Sequence, residues 1–344
     1  MTRGIPRHSM PAGQQRLSSA SAISGTRTRV GFIVGPTGIG KSALTMYIAE
    51  CLGAEIVNAD SRQLYRGMDI GTAKPGPADR RRVPHHLIDV CAPDEPLDVA
   101  RFRELARSAI EEIAGRGRPV LVTGGSGFYL KVLKRGIFDG PPAALEIRRE
   151  LGELAARHGV EYLYRQLSEV DPEAAGRLEP HDLYRIVRAL EVFRVTGMPI
   201  SLHQRRHSFA ELAYDSLTVG LNLPRERLYQ AIDRRFDEMI AAGLVEETRA
   251  LLAAGYRPEA PPLSTIGYKH VAAHLRGELT MEEAIALAKR DTRRLAKRQL
   301  TWFRRDSEIV WVDAENGREE ALALFEGFFF SRPAQGASMG GLTR

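Results

Sequence analysis

The stretch "GPTGIGKS", Gly35 to Ser42, is a glycine, four residues, a second glycine, a lysine and a hydroxyl residue. Glycines at that spacing let backbone N–H groups turn toward an anion, and a following helix adds the partial positive charge of its N-terminus. Gly35, Pro36, Thr37, Gly38, Ile39 and Gly40 would form the cradle, Lys41 would reach an outer phosphate, and Ser42 would ligate a Mg²⁺ that bridges phosphate oxygens. The flanks suit this reading, with the apolar run "VGFIV" before and the helical pattern "ALTMYIAECLG" after. The alternative is a glycine turn that matches by accident, which the agreement of pattern and flanks argues against.

A phosphate loop does not name a reaction. Phosphoryl transfer asks for an acid after a second apolar strand, and Asp89 in "PHHLIDV" follows only a short apolar pair. Asp60, in "VNADSRQLYRGMDIGTAKP", falls just past the strand "AEIVN", at the carboxyl edge where open parallel sheets place their sites. Its structural alternative is a cap on the turn that follows.

The elements that must position these groups alternate. "VGFIV", "AEIVNAD" and "RPVLVTGG" read as strands, and "VARFRELARSAIEEIAGRG" as an amphipathic helix, which argues a parallel sheet covered by helices. After "FDGPP" the pattern changes to three helical segments without strands, "ALEIRRELGELAARHG", "EYLYRQLSEV" and "HDLYRIVRALEVFRVTG". A strand returns at "SLTVGLNL", helix follows to Arg305, and "EIVWVD" is a last strand. The expected organisation is an α/β core of residues 29–137 and 208–330, an all-helical insert of residues 138–207, a disordered leader of residues 1–28 and a flexible tail of residues 331–344.

The 344 residues are 43% hydrophobic and 27% charged, ordinary for a globular chain, and hold no apolar run of the roughly 20 residues a membrane helix needs. Cys51 and Cys91 have no further thiol to form a disulfide framework or a zinc site, so a reducing, cytoplasmic setting is expected. The net charge of +6 is misleading, because five arginines and no acid lie in residues 1–29. Distribution is more telling: Lys289 to Arg305 holds eight basic residues against Asp291 alone. Arg290, Arg294, Lys297, Arg298 and Arg305 recur at helical spacing with Trp302 among them, which suits an RNA backbone, although a charge run is also an ordinary solvated face.

Taken together, these residues resemble one family, the tRNA dimethylallyltransferases of the bacterial type. The resemblance runs from about Val30 to Asp306 through "GPTGIGKS", "ADSRQLYRGMDIGTAKP", "VTGGSGFYLKVL", "RIVRALEVFRVTGMPIS", "IGYKH" and "TRRLAKRQLTWFRRD". It implies a prenyl transfer from dimethylallyl diphosphate to N6 of the adenosine 3′ of the anticodon, position 37, in tRNAs reading codons that begin with U. The loop would hold the diphosphate with Mg²⁺ on Ser42, Asp60 would be the general base, and Thr37 and Arg235 would grip the leaving group. Read alone, Arg235 in "RRFDEMIAAG" could equally be a solvated helix arginine. The adenine must be extruded from its stack, and the resemblance places it and its neighbours against Asp60, Ser61, Arg62, Gln63 and Ser126. It further places RNA contacts at Arg148, Arg185 and Arg188 of the insert, at Thr265, Gly267, Tyr268 and Lys269, and at Lys297 and Arg298. A monomer is the family expectation.

The sequence departs from the family pattern at Gly38 and Ile39, where Ala-Ser is commoner, and at Ser126, His181 and His270. Two other classes compete with tRNA prenylation. An enzyme prenylating free adenine nucleotides would have no use for the insert or the basic segment. A small-molecule kinase would need a clearer phosphoryl-transfer acid and would consume ATP.

Overall fold

The computed structural model describes residues 27–95, 97–138, 140–207 and 212–331. The expected leader and tail fall almost wholly outside them. Six parallel strands form one sheet in the order β3-β2-β4-β1-β5-β6: β1 (Arg29–Val34), β2 (Glu55–Asn58), β3 (His85–His86), β4 (Val120–Gly124), β5 (Asp215–Asn222) and β6 (Ile309–Asp313). β2 is buried along its whole length and β1 along all but its first residue, as a parallel sheet covered on both faces requires.

Helix α1 (Lys41–Leu52) leads from β1 to β2 across one face and joins the apolar cluster of Ile33, Ile48, Ile56, Leu121 and Phe325. The short α2 (Pro77–Arg82) precedes β3. On the other face, α3 (Val99–Gly115) and α4 (Gly127–Arg135) pack over Phe32, Val57 and Val122. The chain thus leaves β1 toward one face and β4 toward the other. Since β1 and β4 are neighbours, their carboxyl ends flank the crevice where such sheets bind ligands.

Among the described residues between α4 and β5 the regular elements are all helices: α5 (Leu145–His158), α6 (Val160–Val170), α7 (Pro172–Ala175), α8 (Leu183–Thr196) and α9 (Ile200–His207). They pack on one another around Leu151, Leu163, Leu167, Ile186 and Leu190, a cluster separate from the two that sandwich the sheet. At its edge Glu191, fully buried, accepts from Arg148 at 2.8 and 3.0 Å and from Arg188 at 2.7 Å. From β5 the chain runs through α10 (Arg225–Ala241), α11 (Leu244–Ala253), α12 (Tyr268–Leu275) and the long α13 (Met281–Phe303) before β6, and α14 (Arg318–Phe330) closes against α1 and β1. Among the described residues no helix is long and apolar enough to cross a membrane.

Candidate active site

The loop from Gly35 to Gly40 joins β1 to α1 at the mouth of the crevice. Gly38 has φ +82°, and a Cβ there would lie 2.7 Å from Ile232 Cγ1, so glycine suits both the backbone and the close approach of α10. This is the physical setting of one departure from the family pattern. The other, Ile39, turns its side chain into the core beside α1 and leaves only its backbone for a ligand.

Asp60 follows β2, two residues past Asn58. Asn58 Oδ1 accepts from the Asp60 N–H at 3.0 Å, and Asp60 Oδ1 accepts from the Arg62 N–H at 2.9 Å. The capping role is therefore real, but it occupies one carboxylate oxygen. The other oxygen makes no hydrogen bond among the described residues. On β4, Gly124 lets the backbones close up, since a Cβ there would sit 2.5 Å from Ala59 O. Ser126, just beyond, accepts from Ser61 N–H at 3.3 Å and lies the same distance from Ser61 Oγ. The serine at this departure from the family pattern thus keeps its hydroxyl in the crevice.

A cavity of about 430 Å³ opens here, lined by Thr37, Gly38, Asp60, Ser61, Arg62, Ser126, Arg235, Thr265 and Arg298 among others. It gathers the three residues expected to be catalytic, drawn from the β1 loop, the β2 end and α10. Arg235 has no hydrogen-bond or ion-pair partner among the described residues. Burial lowers its pKa while the charges of Asp60 and Glu238 oppose the shift, and a guanidinium keeps its proton regardless. Lys41 donates to Pro36 O at 2.9 Å, and burial brings its pKa down to about 8, partly offset by Asp60 and reinforced by Arg235. Arg235 and Asp60 therefore face one another across the cavity, while the half-buried Lys41, outside its lining, stands near enough for both charges to act on it.

The expected site residues that line a cavity divide between two, and Lys41 lines neither. Ser42 and Gln63 open instead to a neighbouring space of about 420 Å³ beside Asn58 and Thr123. Gln63 donates there to the carbonyls of Thr72 and Ala73 at 3.1 and 3.2 Å. Ser42 is exposed and offers a hydroxyl to a cation, as Thr37 does in the first cavity, and no cluster of three His, Cys, Asp or Glu side chains that could hold a metal occurs among the described residues. That donor set fits a Mg²⁺ carried in on substrate oxygens and completed by water. Asp89 is taken up elsewhere, bound to Lys74 at 2.6 Å and Arg80 at 2.8 Å.

Of the expected RNA contacts, Arg62, Ser61, Ser126, Thr265 and Arg298 reach the cavity, and Lys297 lies on the groove outside it with Trp302 and Arg305. Gly267 caps α12 with φ +95°, and Lys269 binds Asp291 at 3.2 Å. Tyr268 is different: its ring is 1% exposed and packs against Gly71, and its hydroxyl donates to Glu247 at 2.6 Å. The structure gives that ring a place in the core rather than on an RNA base. Arg148 and Arg188 are engaged with Glu191, and Arg185 with Asp182 at 2.9 Å. His270, another departure, sits 3.3 Å from Asp291 with its pKa lowered, chiefly by burial. The basic helix α13 is split in character: Lys289 pairs with Asp237, Arg293 with Asp233, and Arg290 and Arg294 with Asp291. Lys297, Arg298, Arg304 and Arg305 have no acidic partner among the described residues.

Two further residues matter that sequence reasoning did not single out. Glu247 accepts from three successive N–H groups, Asp69 and Ile70 on Oε2 at 3.0 and 2.8 Å and Gly71 on Oε1 at 3.1 Å, pinning the loop that supplies Gly71 and Thr72 to the cavity. Gln299 of α13 accepts from the Thr37 N–H at 2.9 Å and donates to Gly125 O at 2.9 Å.

A parallel α/β sheet with a glycine-rich loop at its switch point, faced by a carboxylate and an arginine, is an arrangement shared by many enzymes, and the comparisons narrow it. The family model for IPP transferase matches residues 63–306. The tRNA dimethylallyltransferase of Geobacter metallireducens is 50% identical over 303 residues, covering 88% of this chain and 98% of that protein, and that of Moorella thermoacetica is 48% identical over 89% and 96%. Among solved structures, the tRNA isopentenylpyrophosphate transferase of Bacillus halodurans matches with TM-score 0.65 at 37% identity, covering 88% of this chain and 97% of that one. A eukaryotic dimethylallyltransferase acting on tRNA matches with TM-score 0.75 at 28% identity over 89% and 80%. The chain belongs to the tRNA dimethylallyltransferase family.

Proposed function

We propose that this chain transfers the dimethylallyl group of dimethylallyl diphosphate to N6 of the adenosine 3′ of the anticodon, position 37, in tRNAs reading codons that begin with U, giving N6-isopentenyladenosine and diphosphate. The observation that carries the reading is the single cavity in which Thr37 and Gly38 of the anion loop meet Asp60 and Arg235. An adenine amine is a weak nucleophile, so attack on C1 of the prenyl group needs a base for its proton and a counter-charge for the leaving group. The unengaged oxygen of Asp60 takes the N6 proton as the N6–C1 bond forms. The C1–O bond breaks, and its electron pair leaves on the diphosphate. Arg235 in the cavity, Lys41 beside it and the N–H groups of the loop hold that growing charge. Ser42 would hold Mg²⁺, which supplies further neutralisation of the diphosphate when bound.

Ser61, Arg62, Ser126 and Thr265 would receive the extruded adenine and its neighbours, with Gln63 in the adjoining cavity. The unpaired cations in and just beyond the last turns of α13, with half-exposed Trp302, suit the RNA backbone and a stacked base. In this reading Arg148 and Arg188 shape the insert through Glu191 and offer only their outer faces to RNA, with the more exposed Arg185 beside them. The test is incubation with Mg²⁺, radiolabelled dimethylallyl diphosphate, and either unmodified tRNA or AMP. Label at an anticodon-loop adenosine is the expected result. Label in AMP alone, or ATP consumption without prenyl transfer, would overturn it in favour of a nucleotide prenyltransferase or a kinase.

A further inference from the structure

The Gln299 side chain spans the cleft, joining the middle of the anion loop to the backbone beyond β4. The Thr37 N–H follows Pro36, which has no N–H to offer, and it lies in the stretch whose amides an anion would claim. Here that donor already has an acceptor, Gln299 Oε1, at 2.9 Å. The amide is closely seated: a Cβ on Gly125 would lie 2.6 Å from Gln299 Nε2. Gln299 also rides on the RNA-facing part of α13. Arg298, the residue before it, lines both the cavity and the outer groove, and Trp302, one turn on, packs on Gly127 while staying 43% exposed.

We propose that Gln299 is the positioning residue through which the RNA-facing helix sets the diphosphate loop: its Oε1 holds the Thr37 N–H until the donor's diphosphate takes that N–H instead, and RNA on α13 favours the exchange. The inference rests on the function proposed above. A neutral amide oxygen is a fitting placeholder, because a charged diphosphate oxygen makes roughly twice as strong a bond to the same N–H. The placeholder still taxes donor binding by one hydrogen bond. Load on Arg298 and Trp302 reaches Gln299 through less than one turn of a 23-residue helix.

The experiment is calorimetric titration of inorganic diphosphate with Mg²⁺ into the full chain, with and without unmodified tRNA, for wild type, Gln299→Ala and the near-isosteric Gln299→Met. Without tRNA both variants are expected to bind diphosphate about two- to tenfold more tightly, the worth of one neutral hydrogen bond no longer broken. The tightening that tRNA gives the wild type should vanish in both. Equal or weaker binding by both variants without tRNA, or an unchanged tRNA effect, would overturn the proposal. So would a fall in thermal midpoint with no change in diphosphate affinity, the mark of a merely structural glutamine. Wild-type protein that neither binds diphosphate nor prenylates tRNA would instead refute the underlying function, which the wild-type arm alone reveals.

Discussion

Replacing Asp60 with asparagine separates its two roles. The Oδ1 that accepts from Arg62 N–H at 2.9 Å is retained by an amide oxygen, so the turn should persist. What disappears is the proposed base and a negative charge that acts on Lys41 and Arg235. Loss of a positioned general base costs about 10²- to 10⁴-fold, or roughly 3–5 kcal/mol of transition-state stabilisation. A second effect must be kept out of the measurement. The Asp60 charge raises the Lys41 pKa, which stands at about 8, so the variant's lysine loses its proton at a lower pH than the wild type's. Single-turnover transfer of labelled prenyl group to unmodified tRNA should therefore be followed at pH 6.5, with both substrates saturating. We expect Asp60→Asn to fall at least a hundredfold while binding tRNA as the wild type does. Asp60→Ala should match it kinetically and lose about 1 kcal/mol more stability, the net worth of the Arg62 hydrogen bond. An Asp60→Asn rate within tenfold of wild type would refute the general-base assignment.

With a pKa of about 8, Lys41 is charged below that pH and neutral above it, so kcat/KM for the donor should decline as pH rises through about 8, and Lys41→Arg should abolish the decline. Lys41→Ala should raise the diphosphate Kd about ten- to hundredfold at pH 7 by titration calorimetry, the worth of a charged hydrogen bond. Burial alone would raise the Glu191 pKa, but the hydrogen bonds from Arg148 and Arg188 bring it below its ordinary 4.5. The unfolded state therefore takes up this proton first, and the ion pairs' contribution is present above about pH 4.5 and lost on further acidification. Glu191→Gln should flatten that part of the stability-against-pH curve in urea titrations. Lys297→Ala with Arg305→Ala should reduce the slope of log K against log salt for tRNA by nearly one per cation engaged, while Arg290→Ala, whose guanidinium is bound to Asp291, should change it less.

What could be read in the sequence was local. The glycine spacing of Gly35 and Gly40 and the apolar runs of β1, β2, β4, β5 and β6 each report on neighbours along the chain, and they lie where the pattern put them. The two-residue β3 escaped because His85 and His86 carry no apolar alternation to betray a strand. Glu247, Gln299 and Glu191 escaped for another reason. Each is one polar residue on an amphipathic helix, and its partners lie far off in sequence, so periodicity treats it as one more solvated position. The charge run from Lys289 to Arg305 looked uniform for the same reason. Only the fold brings Asp233 and Asp237 of α10 against its first half and leaves its second half bare.

The strand order has a consequence for how the molecule is made. β1 carries the glycine-rich loop at its end, yet one of its two partners is β5, which begins at Asp215 and pairs with Arg29 from the far side of the insert. The loop's own contact with Gln299 comes later still. A ribosome adding about 5–20 residues per second therefore exposes the finished motif well before its neighbours exist, with one apolar edge of β1 open to chaperones or to other chains. The insert, burying its own cluster, shortens the effective gap once folded, since closing a loop costs entropy that grows with its free length. A nascent chain stalled before β5 would thus display the glycine-rich motif in full and still lack Arg235, Thr265, Arg298 and Gln299 from the cavity.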